Sequence, residues 1–280
     1  MRINRHFCKY LFTTLNQKKL NVFQLIQFQP SQFKFNKLKT VWALSSILVM
    51  FSSNVTANEQ VEPLIVPATS THVANPALTT DITIGHFSQG DLTGWEEKEF
   101  SGQTDYQIVT DTSTSANTGK AKKILKANSN NSASGLFKEQ RIDLQKTPYL
   151  HWSWKTQHLY SGLNEVKKEG DDFVARIYIV IDGGMFIWKT KALNYVWSSS
   201  FKENEFWPNP YTSNAIMFAV ESGTKNIGKW VKYKRNVSVD LLKVLGKEIR
   251  YIDAIAVMTD SDSSGQQATT YYGDIYFSAE

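Results

Sequence analysis

The chain has 280 residues, with 31 Lys/Arg against 26 Asp/Glu and a formal charge of +5. Residues 1–57 hold eight of the basic residues and none of the acids, which leaves 23 basic against 26 acidic residues, a balance of −3, for the rest. A mildly acidic body gives no reason to expect nucleic acid or an anionic membrane as partner, and the single cysteine, Cys8, leaves no disulfide, thiolate metal site or thiol nucleophile beyond residue 57.

The first segment reads as an export leader. Lys37 and Lys39 precede the apolar run VWALSSILVMF, Val41 to Phe51, and the small residues Val55 and Ala57 suit a cut after Ala57. The run spans only about half of a ~30 Å hydrocarbon core at ~1.5 Å per residue, too little for a stable membrane span. The expected address is therefore periplasmic or secreted. Residues 58–80 contain Pro63, Pro67 and Pro76 without periodicity and read as a linker. Residues 81–280 are expected to form one domain.

In that body, short runs of β-branched and aromatic residues are bounded by Gly, Asn, Asp, Ser or Pro, the pattern of strands. In YLHWSWKT, Leu150, Trp152 and Trp154 share one face, and His151, Ser153 and Lys155 the other. In ARIYIVI, Ala175, Ile177, Ile179 and Ile181 form an apolar face opposite Arg176, Tyr178 and Val180. One segment, SVDLLKVLG, predicts a helix, with Ser238 as N-cap, Asp240 in the first turn and Gly246 as stop. Many short strands and one short helix predict an all-β fold, an antiparallel two-sheet β-sandwich of jelly-roll type.

Candidate binding residues follow in chain order. Arg176 can fork onto a carboxylate or a sugar hydroxyl, or form a structural ion pair with Asp172 or Asp260. Tyr178 shares its face. Asn194, Tyr195 and Trp197 in LNYVW offer a hydroxyl partner and rings on which apolar sugar faces lie; Trp207, in the Pro-stiffened EFWPNPYT, either joins them or covers the sandwich edge. Arg235 and Asp260 complete the set. Asp260, Asp262 and Ser264, ahead of Gly265, match positions 1, 3 and 5 of a calcium loop, but position 12 is Tyr271, and Asp274 closes the shell only if the loop folds back. A polar turn satisfied by its own backbone is the plain alternative. Calcium at these residues is the one cofactor considered.

For catalysis, there is no H-E-x-x-H, G-x-S-x-G or phosphate-cradling glycine motif. His151 and His158, with Tyr160, Tyr178 or Tyr195 and Arg176, contain the groups a polysaccharide lyase needs, and Asp171 with Asp260 those of a glycosidase. The reading favours a non-catalytic protein that binds a carbohydrate or other envelope ligand; the alternatives are a polysaccharide hydrolase or lyase and an envelope scaffolding partner.

The phrases GLFKEQRIDLQKTPYLHWSWK, GDDFVARIYIV, LNYVWSS, GKWVKYKRNVSVDLLKVLG and IAVMTDSDSSG…YYGDIYF together resemble an exported bacterial family catalogued as domain of unknown function 3047, over roughly Ile84 to Phe277. The resemblance implies a Gram-negative envelope setting and one β-rich domain, with no settled activity. IGHFSQGDLTGWEE, SASGLFKEQRIDL and the closing Asp274-Ile275-Tyr276-Phe277 strand are also similar in layout to galactose-binding-like jelly rolls, a fold-level analogy that does not specify a ligand.

Overall fold

A computed structural model describes residues 81–112, 121–185 and 187–280. The leader expected over 1–57 and the linker over 58–80 lie outside the described residues. The strands are β1 (Ile82–Gly85), β2 (Trp95–Ser101), β3 (Asp105–Asp111), β4 (Lys122–Asn130), β5 (Ala133–Asp143), β6 (Tyr149–Thr156), β7 (Arg176–Ile181), β8 (Lys191–Ser198), β9 (Phe206–Pro208), β10 (Ala215–Ser222), β11 (Val231–Asn236), β12 (Tyr251–Met258), β13 (Gln267–Tyr272) and β14 (Ile275–Ser278). One α-helix, α1 (Val237–Leu245), follows β11 directly.

The strands form two sheets and hence a β-sandwich of the expected class. The first runs β1-β14-β6-β13-β4-β3, with β11 on the other side of β6; the second runs β2-β5-β12-β7-β8-β10-β9. The sequence led us to expect antiparallel pairing throughout, and one pair departs from it: β10 lies parallel to β8. The cause is β9. After β8 the chain loops out and lays down Phe206–Pro208 at the sheet edge, then β10 returns antiparallel to β9 and slots in beside β8. Pro208 is tolerated there because an edge strand can lack one amide donor.

Period-two alternation fixes which residues meet between the sheets. Leu150, Trp152 and Trp154 of β6 face Ile177 and Ile179 of β7 and Leu193, Tyr195 and Trp197 of β8 in one core. Trp152 stacks on Tyr195 across the sandwich (centroids 5.3 Å, 16°) and on Tyr233 of its own sheet (4.9 Å, 23°). Trp154 approaches Trp197 at 6.3 Å. Such offset and tilted pairs add to the stabilisation from burial alone.

The helix begins two residues earlier than the sequence suggests. Asn236, not Ser238, is the N-cap, its Oδ1 accepting from the Val239 amide at 3.1 Å. Gly246 ends it as expected, at φ 67°, a left-handed position where only glycine is unstrained, with its amide bonded to the Leu242 carbonyl at 2.9 Å.

Candidate functional site

The outer face of the second sheet is built in rows, because paired strands place register partners side by side. One row reads Phe137, Ala256, Tyr178, Asn194, Met217, Trp207 across β5, β12, β7, β8, β10 and β9. The next reads Glu139, Ala254, Val180, Ala192, Ala215. The second row is short side chains over four strands, beside a row of tall ones. The step between the two rows is a trough in the sheet's relief, and its residues, like those of the taller row, are buried. The β7–β8 hairpin flanks its long side, where the Asn214 side chain donates to the Trp188 carbonyl at 2.9 Å and Trp188 is 61% exposed.

Asn194 lies on this face and is 1% exposed. Its Nδ2 reaches the Ile216 carbonyl at 3.5 Å, but its Oδ1 has no hydrogen-bond partner. A buried amide oxygen without a donor is costly, on the order of 1–3 kcal/mol, unless something donates to it. Phe137 leans over Gly135, where a Cβ would come within 2.8 Å of the ring, and packs on Tyr178 at 6.2 Å.

A third row, Gly135, Met258, Arg176, Val196 and Ala219, holds the guanidinium. Arg176 is buried and forks onto Asp260, with Nε–Oδ1 at 2.8 Å and Nη2 donating to Oδ2. It also donates to the Asp171 carbonyl (2.5 Å) and the Tyr178 hydroxyl (3.2 Å), and lies over the Phe173 ring at 4.4 Å. Of the two roles open to Arg176, the geometry places it in the structural ion pair with Asp260.

Burial opposes its charge, and Asp260, Tyr178, Asp171 and Asp172 overcome that opposition, so the guanidinium stays charged. Four aspartates crowd this one cation. Burial pushes Asp171 up to about 6, against the pull of Arg176 and the hydrogen bond from Asn209 at 2.9 Å. Burial, then the charge of Asp172, also raises Asp262.

The raised Asp171 makes stability depend on pH. The folded chain holds that proton up to about pH 6, whereas unfolded aspartates release theirs near ~4. Between those values the folded state binds more protons, so stability falls as pH rises through the window. Asp143, held low by its hydrogen bond from Arg250, acts in the opposite sense, below ~4. The melting temperature is therefore expected to be higher at pH 5 than at pH 7.5. Asp171→Asn should shrink that difference, and an unchanged slope in differential scanning fluorimetry would remove Asp171 as its source.

Asp172, Asp260 and Asp262 bring carboxylate oxygens within 4.8 Å of one another and are the acids here that can hold a cation. Two of them are engaged already. Asp260 is bound by Arg176, and Asp172 accepts the Ser263 and Ser264 amides at 3.1 and 2.6 Å. Ser264 gives its hydroxyl to the loop, accepting the Gln266 amide at 3.3 Å. Asp274 does not fold back; it accepts the Ser88 amide at 2.7 Å and pairs with Lys122 at 3.6 Å.

The other expected ligand residues separate. Tyr195 and Trp197 do share a face, but it is the inner one: both are buried in the core, so their rings are not on the sheet's outer surface. Tyr195 donates to Asp240 at 2.7 Å. Arg235 belongs to that same group, forking onto Asp240 at 2.9 and 2.7 Å and tying α1 to the core rather than reaching the Arg176 cluster. Trp207 takes the covering role: it is buried on Phe201 at 3.8 Å and donates to the Glu165 carbonyl at 3.2 Å. Arg176, Tyr178 and Asn194 thus share the outer face with Asp260 alongside, and Tyr195, Trp197 and Arg235 do not.

The lyase set is dispersed as well. His151 is on the outer face of the first sheet, stacked on Tyr276 at 4.4 Å, away from Arg176. Sequence reasoning missed the alanine row and the Trp188 hairpin. Ala192, Ala215 and Ala254, within strands of mostly bulky residues, were the available signal.

Among solved structures, the chain is similar to the family 30 carbohydrate-binding module of the Clostridium thermocellum cellulosomal cellulase Cel9D-Cel44B (12% identity, TM-score 0.40, covering 72% of this chain and 98% of that one). It is also similar to a family 61 carbohydrate-binding module in complex with β-1,4-galactotriose (14%, 0.34, 70% and 94%). A variant Cel12A cellulase derived from that of Rhodothermus marinus is a further match (12%, 0.38, 65% and 100%). Likeness at this level does not extend to a ligand. No curated protein matches in sequence. The family described as "Protein of unknown function (DUF3047)" matches residues 93–276, two thirds of the sequence, and the chain belongs to that family.

Proposed function

We propose that the protein is an exported, non-catalytic β-sandwich that binds a carbohydrate or similar polyhydroxylated envelope ligand in the trough on the outer face of its second sheet. The observation that supports this most is the orphaned Oδ1 of buried Asn194, beside the row Ala254, Val180, Ala192 and Ala215. A ligand hydroxyl satisfies that oxygen. The short row admits the edge of a ring, and exposed Trp188, on the hairpin beside it, meets its apolar face. Among the described residues no helix is long and apolar enough to cross a membrane.

Asn194→Ala removes the acceptor and is expected to weaken binding to an oligosaccharide identified on a glycan array by about tenfold, the worth of one hydrogen bond. Ala192→Leu fills the row and should abolish binding, and a wild-type circular-dichroism spectrum for both variants shows that the fold is kept. Retention by both at wild-type strength would end the assignment. Protein recovered from the envelope fraction should begin at Asn58; an intact Met1 there would remove the cleaved leader from the reading, and absence from that fraction would remove export.

A second reading, a polysaccharide hydrolase, is favoured by one observation. Asp171, raised to about 6, has an Oδ1 with no hydrogen-bond partner, which suits a proton donor near neutral pH. Release of reducing ends from the array hit, lost in Asp171→Asn, would establish it in place of the first.

A further inference from the structure

The opposite surface, the outer face of the first sheet, has a different chemistry. Register places Lys234 beside His151 and Tyr276, Lys232 beside Ser153, and Tyr271 between Lys155 and Lys126. All of these point away from the core that holds Trp152, Trp154, Tyr233 and Tyr272. Lys155 is paired with Asp111 at 3.6 Å, and Lys122 with Asp274 at 3.6 Å. Lys126, Lys232 and Lys234 form no ion pair among the described residues.

Three cations without an ion pair on one face do not follow from composition, because residues 58–280 carry more acids than bases. Lys232 and Lys234 stand ~6.8 Å apart along β11, and Lys126 lies three strand steps across and two residues along from Lys232, ~16 Å. Like charges so placed repel, and an anionic chain laid across the strands relieves the repulsion. Neutral hydrogen-bonding groups are interleaved with them: Ser153, and the Thr269–Asn128 pair at 2.8 Å.

We propose that this face docks an acidic polysaccharide, its carboxylates on Lys126, Lys232 and Lys234 and its hydroxyls on Ser153, Asn128 and Thr269. A single-stranded nucleic acid fits less well, because the rings are already engaged rather than standing as platforms for bases. Lys155 lies over Tyr271 at 4.9 Å and Trp230 at 5.1 Å, Lys234 over Tyr149 at 4.7 Å, and His151 against Tyr276. A lipid surface fits less well too. The exposed large apolar residues (Val166, Met185, Trp188, Phe206, Val239 and Leu242) all lie off this face.

Affinity electrophoresis of the full-length chain through gels containing sodium alginate tests this. Retardation is expected at about 50 mM salt and should fade by about 500 mM. Lys232→Ala with Lys234→Ala should weaken it about tenfold, and Lys126→Ala, on a separate strand, about threefold. The same change at Lys18 and Lys19, in the basic N-terminal segment, should leave it within about twofold. Asn194→Ala should have no effect, so this surface and the trough fail or stand separately. No retardation, equal retardation of all lysine variants, loss through Lys18 and Lys19 instead, or tighter binding to oligo-dT or anionic phosphatidylglycerol vesicles would each overturn the proposal.

Discussion

Replacing Arg176 with methionine is expected to lower the unfolding free energy by about 3–5 kcal/mol, as when one partner is removed from a buried ion pair. Methionine fills part of the volume and keeps contact with Phe173, but it leaves Asp260 facing the void. Asp260 is fully buried, and its remaining donor is the Phe173 amide at 3.3 Å. The Asp171 carbonyl and the Tyr178 hydroxyl lose a partner at the same time. A domain with ~5–15 kcal/mol in total would be close to unfolding.

The counter-test is Arg176→Met combined with Asp260→Leu, which removes both charges. Well-packed apolar replacements of a buried pair are often neutral, so the double variant should recover more than half of the loss in urea titrations. A single variant within 1 kcal/mol of wild type would mean that the cluster takes up a proton or a cation at little cost, and Arg176 would return as a candidate for direct ligand contact.

That outcome bears on what could be read before the structure was known. Alternation in β6 and β7 was legible because each side chain's face depends only on parity along its own strand. The same rule put Arg176 and Tyr178 on one face of their strand; Asn194 joins them only through the β7–β8 register. Parity does not say which face is inside, and for Asn194-Tyr195-Val196-Trp197 the large rings went in and the amide out. Long-range partners were the other limit. Arg176 finds Asp260 84 residues away and Arg235 finds Asp240 within five, and no local pattern distinguishes those acids from the rest. The parallel β8–β10 pair escaped notice because a three-residue edge strand, β9, has too short a pattern to register.

Trp197→Ala is expected to cost about 3–5 kcal/mol, the range for deleting a large aromatic side chain from a packed core. Read from sequence, this indole is a ring for stacking a sugar, and its loss should abolish binding while sparing the fold. The structure reverses that expectation. Trp197 is 1% exposed, packs against Trp154 and donates from Nε1 to the Gly223 carbonyl at 3.0 Å, fastening β8 to the turn that ends β10. Alanine leaves a cavity between the sheets, and the Gly223 carbonyl loses its donor. Trp197→Phe keeps most of the volume without the hydrogen bond and should cost about 1–2 kcal/mol. The pair separates the two roles cleanly. Under a core role, the loss of stability in chemical denaturation is ordered alanine, then phenylalanine, then wild type, and any ligand binding by the phenylalanine variant persists. A stable alanine variant would instead place this indole on an accessible surface and overturn the packing of the two sheets described here.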